Sequence, residues 1–243
     1  MKNLLFAFLA LCGLVTAQSD ADALLEQILG NLRGENQRAT LVMTVGDGER
    51  ESRYRLRIYS SGQDRGLIRV LEPAREAGQA FLNDGDDLFV YTPRLRRTLR
   101  LPPSGRSDSF LGSDLSYSDL AGDDFRAYYQ ASVASEDEAS VTLTLTPTEG
   151  APTPYGKLEL SAEKPSLAPT RLVYYDQRGN AVKESAFSAY QEVGDQRIPT
   201  RFEVRDLIRG STTVLVWEEA EFDVEIPAAC FSQQALEREG VCE

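Results

Sequence analysis

Apolar positions recur along this chain with two periods, and the change from one to the other divides it. From Leu4 to Val15 the run is continuous apart from Cys12 and Gly13. Leu24, Leu25, Ile28, Leu29 and Leu32 then return at steps of three and four, the stripe of an amphipathic helix. Ser19 or Asp20 is placed to cap that helix and Gly34 to end it. Beyond Gly34 the period becomes two. Residues 40–45 lead into a turn at Gly46-Asp47-Gly48, and Tyr54, Leu56 and Ile58 alternate with Arg53, Arg55 and Arg57, a half-buried strand with a wet outer face. Leu67–Leu71 follows. Phe81-Leu82 and residues 88–91 flank the hairpin turn Asn83-Asp84-Gly85-Asp86. Val141, Leu143 and Leu145, then Leu158 and Leu160, then residues 172–175 repeat the theme, with turns at 177–180, Gly194-Asp195 and Arg209-Gly210, and a last strand at 214–217. Short strands joined by short turns predict a mainly β fold, an antiparallel meander curved into a barrel or half-barrel.

Residues 102–126 interrupt the meander. Pro, Ser, Gly and Asp are mixed there with Phe110, Leu111, Leu115, Tyr117 and Leu120. A loop of this length carries function or short helices, and Ser118 is placed to cap one. Its apolar side chains need a surface to cover, and the open face of a curved sheet supplies one.

The N-terminal pattern reads as a secretory leader, with Lys2 as the sole charge before Asp20 and Val15-Thr16-Ala17 as a cleavage site. That divides the chain into a cleaved 1–17 and a single domain, 18–243, working in the bacterial periplasm. Leu11 before Cys12 argues against a lipoprotein box. Lys and Arg number 26 against 38 Asp and Glu, a formal charge of −12. That balance argues against a nucleic-acid surface. The chain has no histidine, which removes Ser-His-Asp and Cys-His nucleophile systems and His-ligated zinc. Cys230 and Cys242 remain after the leader, and an even count in an exported chain suggests a structural disulfide.

The stretch from Gly85 through Tyr91-Thr92-Pro93, then Leu95-Arg96-Arg97, Arg100-Leu101-Pro102 and Ser109-Phe110-Leu111-Gly112-Ser113-Asp114-Leu115-Ser116-Tyr117-Ser118-Asp119-Leu120, resembles the outer-membrane lipoprotein-sorting family, relatives of the carrier LolA. The resemblance is specific over residues 65–125 and weaker over the rest. It implies a half-open, 11-stranded β-barrel under a helical lid, whose apolar concave side holds acyl chains. It implies no cofactor and no catalysis. The partners it implies are lipid or lipoprotein acyl chains, an inner-membrane transporter of ABC or RND type and an outer-membrane acceptor, with the carrier itself a monomer.

On this reading the cavity residues are Tyr54, Leu56, Ile58, Phe81, Leu88, Val90, Phe110, Leu111, Leu115 and Leu120. A one-residue slip in register would move the strand members to the other face. Gly112, Ser113, Asp114 and Tyr117 form the lid hinge, with Asp114 a candidate latch to an arginine. Arg94, Arg96, Arg97 and Arg100 meet lipid headgroups or a partner, or simply form a solvated face. Strand alternation puts Arg94, Arg96 and Arg100 on one face and Arg97 with Leu95, Leu99 and Leu101 on the other, which makes Arg97 the candidate for a cavity-mouth or lid partner. The acidic sets around Asp84 and at Asp123-Asp124 lack calcium-loop spacing, so no metal is expected. Two functions are carried forward. One is a carrier shuttling lipid from the inner toward the outer membrane. The other is a non-enzymatic accessory subunit of an envelope exporter whose groove is filled by its own side chains.

Overall fold

The computed structural model describes residues 10–32, 36–62, 64–85, 87–121, 125–151 and 153–242. Helix α1 spans Ala10–Gly30. Strands β1 (Asn36–Gly46), β2 (Glu51–Ser61), β3 (Arg65–Glu72), β4 (Ala80–Asp84), β5 (Asp87–Thr92) and β6 (Arg97–Arg100) form one meander. Strands β7 (Tyr129–Glu136), β8 (Ser140–Pro147), β9 (Lys157–Glu163), β10 (Ala168–Tyr175), β11 (Ala181–Val193), β12 (Gln196–Asp206) and β13 (Thr212–Phe222) form another. Every pairing is antiparallel, and β1 beside β13 joins the meanders into one 13-stranded sheet ordered β6-β5-β4-β3-β2-β1-β13-β12-β11-β10-β9-β8-β7. The sheet is open and not closed, as the half-barrel expectation required, but it has 13 strands where the resemblance implied 11. Only Arg97–Arg100 of the alternating stretch around the arginines is strand, and Tyr129–Glu136 is a strand that the sequence reading does not assign.

The edge strands β6 and β7 are neighbours in sequence but stand at opposite margins of the sheet. The connection between them therefore crosses the whole concave face. It contains 3-10 turns at Pro103–Gly105 and Phe110–Gly112 and two short helices, α2 (Tyr117–Ala121) and α3 (Phe125–Tyr128). This is the lid, and topology gives it its place. Its helices are single turns, so its order comes from contacts with the sheet rather than from helix propensity.

Alternation sorts the apolar side chains into three clusters. On the concave face, Leu25 and Ile28 of α1 pack against Val141, Leu143, Leu145, Leu158, Leu160 and Leu172 of the β7–β10 half. The lid packs against the β1–β5 half. On the convex face, Leu67 and Leu82 meet the C-terminal tail, where Phe231, Ala235 and Leu236 of the 3-10 turn Ala228–Phe231 and helix α4 (Gln233–Glu237) are buried. Strand β4 is therefore buried on both faces, unlike the half-wet strands expected, and the uninterrupted Ala80-Phe81-Leu82 suits it. Cys230 and Cys242 form the disulfide that closes this tail. Arg69, buried on β3, donates to the carbonyls of Leu236 (3.2 Å) and Ala235, satisfying the end of α4. Burial holds its pKa below the ordinary arginine value.

At the other terminus, α1 runs through Ser19 and Asp20, so neither caps it, and it ends at Gly30. The Asn31 side chain donates to the carbonyls of Ser166 (3.0 Å) and Leu167 (3.2 Å) and accepts from the Arg197 backbone N–H (2.7 Å), anchoring that end to two strand turns. Gly34, Asp86, Asp123, Asp124 and the first nine residues of the expected leader lie outside the described residues. Among the described residues, no helix is long and apolar enough to cross a membrane.

Candidate functional site: a lidded concave groove

The floor of the groove is set by strand parity. Tyr54 and Leu56 of β2 and Phe81 of β4 are buried in one cluster with Phe110 of the lid, and Ile58, Val90, Leu111, Leu115 and Leu120 pack against it. Leu88 is buried on the same face of β5 as Val90, outside that cluster. The cluster also draws in Leu41 and Met43 of β1, Ile68 and Val70 of β3, and Leu215 of β13. Their period-two spacing is visible in the sequence; the β1–β2–β3 meander brings the first four together, and the β1–β13 pairing adds Leu215 opposite Met43.

Phe110 is the plug. It is fully buried, its ring centroid lies 4.8 Å from that of Phe81 in an edge-on contact, and Tyr117 stands 5.8 Å from both. The lid holds Phe110 out on a small self-bonded loop. Ser109 and Ser116 form a β-bridge, and the N–H of Phe110 donates to the Leu115 carbonyl at 2.8 Å. At the loop's turn Leu111 (φ 50°) and Gly112 (φ 76°) are both left-handed. Glycine takes this conformation freely, and leucine does so at a cost of about 1 kcal/mol. Burial raises the Tyr117 phenol above its ordinary pKa, and Asp108 adds to this.

Two polar latches fasten the lid to the floor. Asp114 is bound by the start of β13 and the turn before it, not by an arginine. Its carboxylate accepts from the hydroxyls of Thr213 (2.7 Å) and Ser211, and its backbone N–H donates to Thr213 Oγ1 at 2.9 Å. The second latch is Asp119. The Ser116 hydroxyl accepts the Asp119 backbone N–H (3.1 Å) while Asp119 Oδ2 accepts the Ser116 N–H (2.7 Å), a capping box that starts α2 at Ser116 and not at Ser118. Both carboxylate oxygens then accept from Lys183 Nζ on β11, at 3.0 and 2.9 Å. The two side chains are only 10% and 9% exposed, and the ammonium lies 4.2 Å from the centroid of the Tyr174 ring. Burial alone pulls the Lys183 pKa down. Tyr174, the Asp119 carboxylate and Tyr155 more than offset it, and the net direction is upward. Sequence reading misses the roles of Asp119 and Lys183, because nothing local marks a lysine 64 residues away as the partner of a lid carboxylate.

Between the lid and α1 the floor is aromatic and half-buried. Phe187, Phe202, Trp217 and Phe222 follow one another across β11, β12 and β13, with centroid separations of 5.6, 6.3 and 5.6 Å. A bulge at the β1–β13 pairing puts Trp217 opposite Leu41 and Phe222 opposite Gln37, keeping both rings on the concave side.

The arginines stand apart from this groove. Arg94 and Arg96 lie in the β5–β6 turn, where Arg96 is left-handed (φ 47°), so strand alternation does not govern them. Arg97 begins β6 and is exposed rather than set at the mouth, and Arg100 pairs with Asp87.

A family model whose description reads "uncharacterized protein" matches residues 62–238. The chain belongs to that family, and its fold is LolA-like. A LolA superfamily protein from Nitrosomonas europaea superposes with a TM-score of 0.74 at 23% identity, over 88% of this chain and 98% of that one. A domain from Vibrio parahaemolyticus, whose description names outer membrane lipoprotein sorting, gives 0.82 at 22%, over 91% and 100%. A DUF1329 family protein from Desulfovibrio piger gives 0.82 at 25%, over 90% and 98%. No curated protein matches the sequence.

Proposed function

We propose that this chain is a periplasmic, non-enzymatic carrier that shelters acyl chains of a lipoprotein or another lipid on its concave face and moves them from an inner-membrane transporter toward the outer membrane. Residues 1–17 are its export signal and 18–243 its single working domain. The observation that carries the reading is the lid. An apolar plug, Phe110, occupies a groove lined by Tyr54, Leu56 and Phe81, but the fastening at its rim is polar. Polar latches can be exchanged for water at about 1.5–3 kcal/mol per hydrogen bond to a charged group, whereas an acyl chain in water costs about 0.8 kcal/mol per methylene, summed over its whole length. A lipid that displaces Phe110 and Leu115 gains the apolar floor that the lid gives up. The LolA-like fold and the lipoprotein-sorting description of the Vibrio domain support the same assignment.

The packing of Phe110 and Tyr117 on Phe81 favours a second reading, an exporter accessory subunit whose groove its own side chains fill permanently. Native mass spectrometry of the protein isolated from periplasmic extract, with lipid extraction of the same sample, separates the two. The carrier predicts an adduct of lipid mass that Leu115→Glu and Trp217→Arg each abolish. A bare protein mass that persists after incubation with membrane lipids overturns the carrier and leaves the accessory subunit.

A further inference from the structure

The antiparallel order places the turns 47–50, 93–96 and 207–211 at one end of the sheet, because Gly46 pairs with Thr212 and β5 leaves the sheet at the end where β2 enters it. At this end apolar side chains stand in solvent. Leu95 is 65% and Leu99 53% exposed on the β5–β6 hairpin, and Ile208 is 73% and Leu207 43% exposed on the β12–β13 turn. Exposed arginines accompany them: Arg94, Arg96 and Arg97 on the first hairpin and Arg209 on the second. Of the acidic groups on the neighbouring turns, Asp206 is half-buried, whereas Asp47 and Glu49 are exposed. Asp206 Oδ1 accepts the backbone N–H groups of Ile208 (2.9 Å) and Arg209 (2.8 Å), and Asp47 does the same for Glu49 and Arg50. The opposite end carries exposed Asp64, Asp84, Asp137, Glu138 and Asp195 on its turns.

We infer that the rim formed by the 93–96 and 207–211 turns docks on an anionic lipid bilayer. The chain's formal charge of −12 would repel such a surface. The two tips overcome this locally, since Arg94, Arg96, Arg97 and Arg209 attract anionic headgroups within a Debye length while the acidic turns of the opposite end point away. Leu95 and Ile208 sit on separate turn tips rather than on one flat patch, a form that suits insertion between headgroups better than packing on a protein partner. The second tip belongs to the hairpin that carries Ser211 and Thr213, which bind Asp114 of the lid. Docking therefore brings the membrane against the element that holds the lid shut. The inference concerns the rim and not the groove, so it stands or falls separately from acyl-chain carriage.

Vesicle flotation tests it, using protein isolated from periplasmic extract and vesicles of phosphatidylglycerol with phosphatidylethanolamine, against vesicles of phosphatidylcholine. The expected result is partition onto the anionic vesicles at low salt that falls at least tenfold in high salt or on phosphatidylcholine. Leu95→Asp with Ile208→Asp, and separately Arg94→Glu with Arg96→Glu, each lower it at least tenfold, and Val133→Asp, an exposed apolar position on β7, leaves it unchanged. Hydrogen exchange gives a second reading in the unaltered chain, with the amides of residues 94–97 and 207–210 protected by anionic vesicles. Absence of anionic partition, or partition indifferent to the Leu95 and Ile208 changes, overturns the inference. Rim variants that block transfer of cargo without any vesicle binding by the unaltered protein would overturn it too, and would assign the rim to a protein partner instead. Native mass spectrometry of the same variants reports cargo independently.

Discussion

Lys183 is the residue on which the closed lid depends most. A buried ion pair stripped of one partner leaves an uncompensated charge, at a cost of about 3–5 kcal/mol. Lys183→Met should lower the free energy of urea unfolding by that amount. Lys183→Met combined with Asp119→Leu should recover part of it, since an apolar pair of similar volume replaces the charges while the Ser116 N–H loses its cap. A urea midpoint unchanged in the single variant would show that the latch is not closed in solution. The pH dependence follows from the upward shift at Lys183. A raised folded-state pKa contributes stability that is complete below the unfolded value, about 10.4, and is lost only as pH rises through the folded one. Across the neutral range the lysine stays charged, so the latch does not open by its deprotonation. Turn aspartates have the opposite sign. Asp137 accepts the backbone N–H groups of Ala139 (2.8 Å) and Ser140 (2.7 Å), which depress its pKa. Its contribution is present above the unfolded value, about 3.9, and is lost as pH falls through the depressed folded one. An NMR titration of the Asp137 carboxyl should place its midpoint below that of an unfolded aspartate, and a midpoint at the unfolded value would remove the interaction.

Among the elements, the C-terminal tail and the lid hold opposite faces of the same strands by different means. The tail packs apolar side chains on Leu67 and Leu82 and is closed by Cys230–Cys242 across a sequence separation of 12. Closing a loop of that size stabilises by about 3 kcal/mol in the chain-entropy account. Cys230→Ser with Cys242→Ser should therefore lower stability by about 2–4 kcal/mol in urea unfolding, with the tail amides losing hydrogen-exchange protection before β1 and β13. The lid instead rests on one plug and two polar latches. Phe110→Ala should cost about 3–5 kcal/mol if the site stays open as a cavity, less if Leu115 collapses into it, and the two cases differ in whether the apolar dye ANS then binds. Strands are legible in the sequence where they alternate cleanly, as in Val141-Thr142-Leu143-Thr144-Leu145. At β4 a second covering layer removes the alternation, so only its hairpin turn marks it, and β7 keeps just a short alternation of Tyr129, Ala131 and Val133 on a mostly exposed edge.

For the whole molecule, the β1–β13 pairing joins the two meanders across much of the chain's length, with Gly46 opposite Thr212. Such non-local pairing predicts folding in milliseconds to seconds rather than microseconds, which stopped-flow refolding by Trp217 fluorescence would check, since that ring sits at the junction. Neighbours along the chain are enough to specify the helical stripe Leu25 and Ile28, most of the strands and hairpin turns, and a long apolar-bearing loop between Pro102 and Arg126. They also specify the face shared by Tyr54 and Leu56 and the cysteine pair near the C-terminus. Periodicity, turn chemistry and the resemblance carry that information locally. Folding in three dimensions added the rest. It joined two meanders through β1 and β13, so that the 102–126 loop had to cross the concave face. It paired Asp114 with Thr213 and Asp119 with Lys183, set the aromatic row from Phe187 to Phe222, and gathered Leu95 and Ile208 at one rim. Each of these joins residues far apart in sequence, and the free energy that selects such contacts comes from burial and desolvation, which exist only once the sheet has formed.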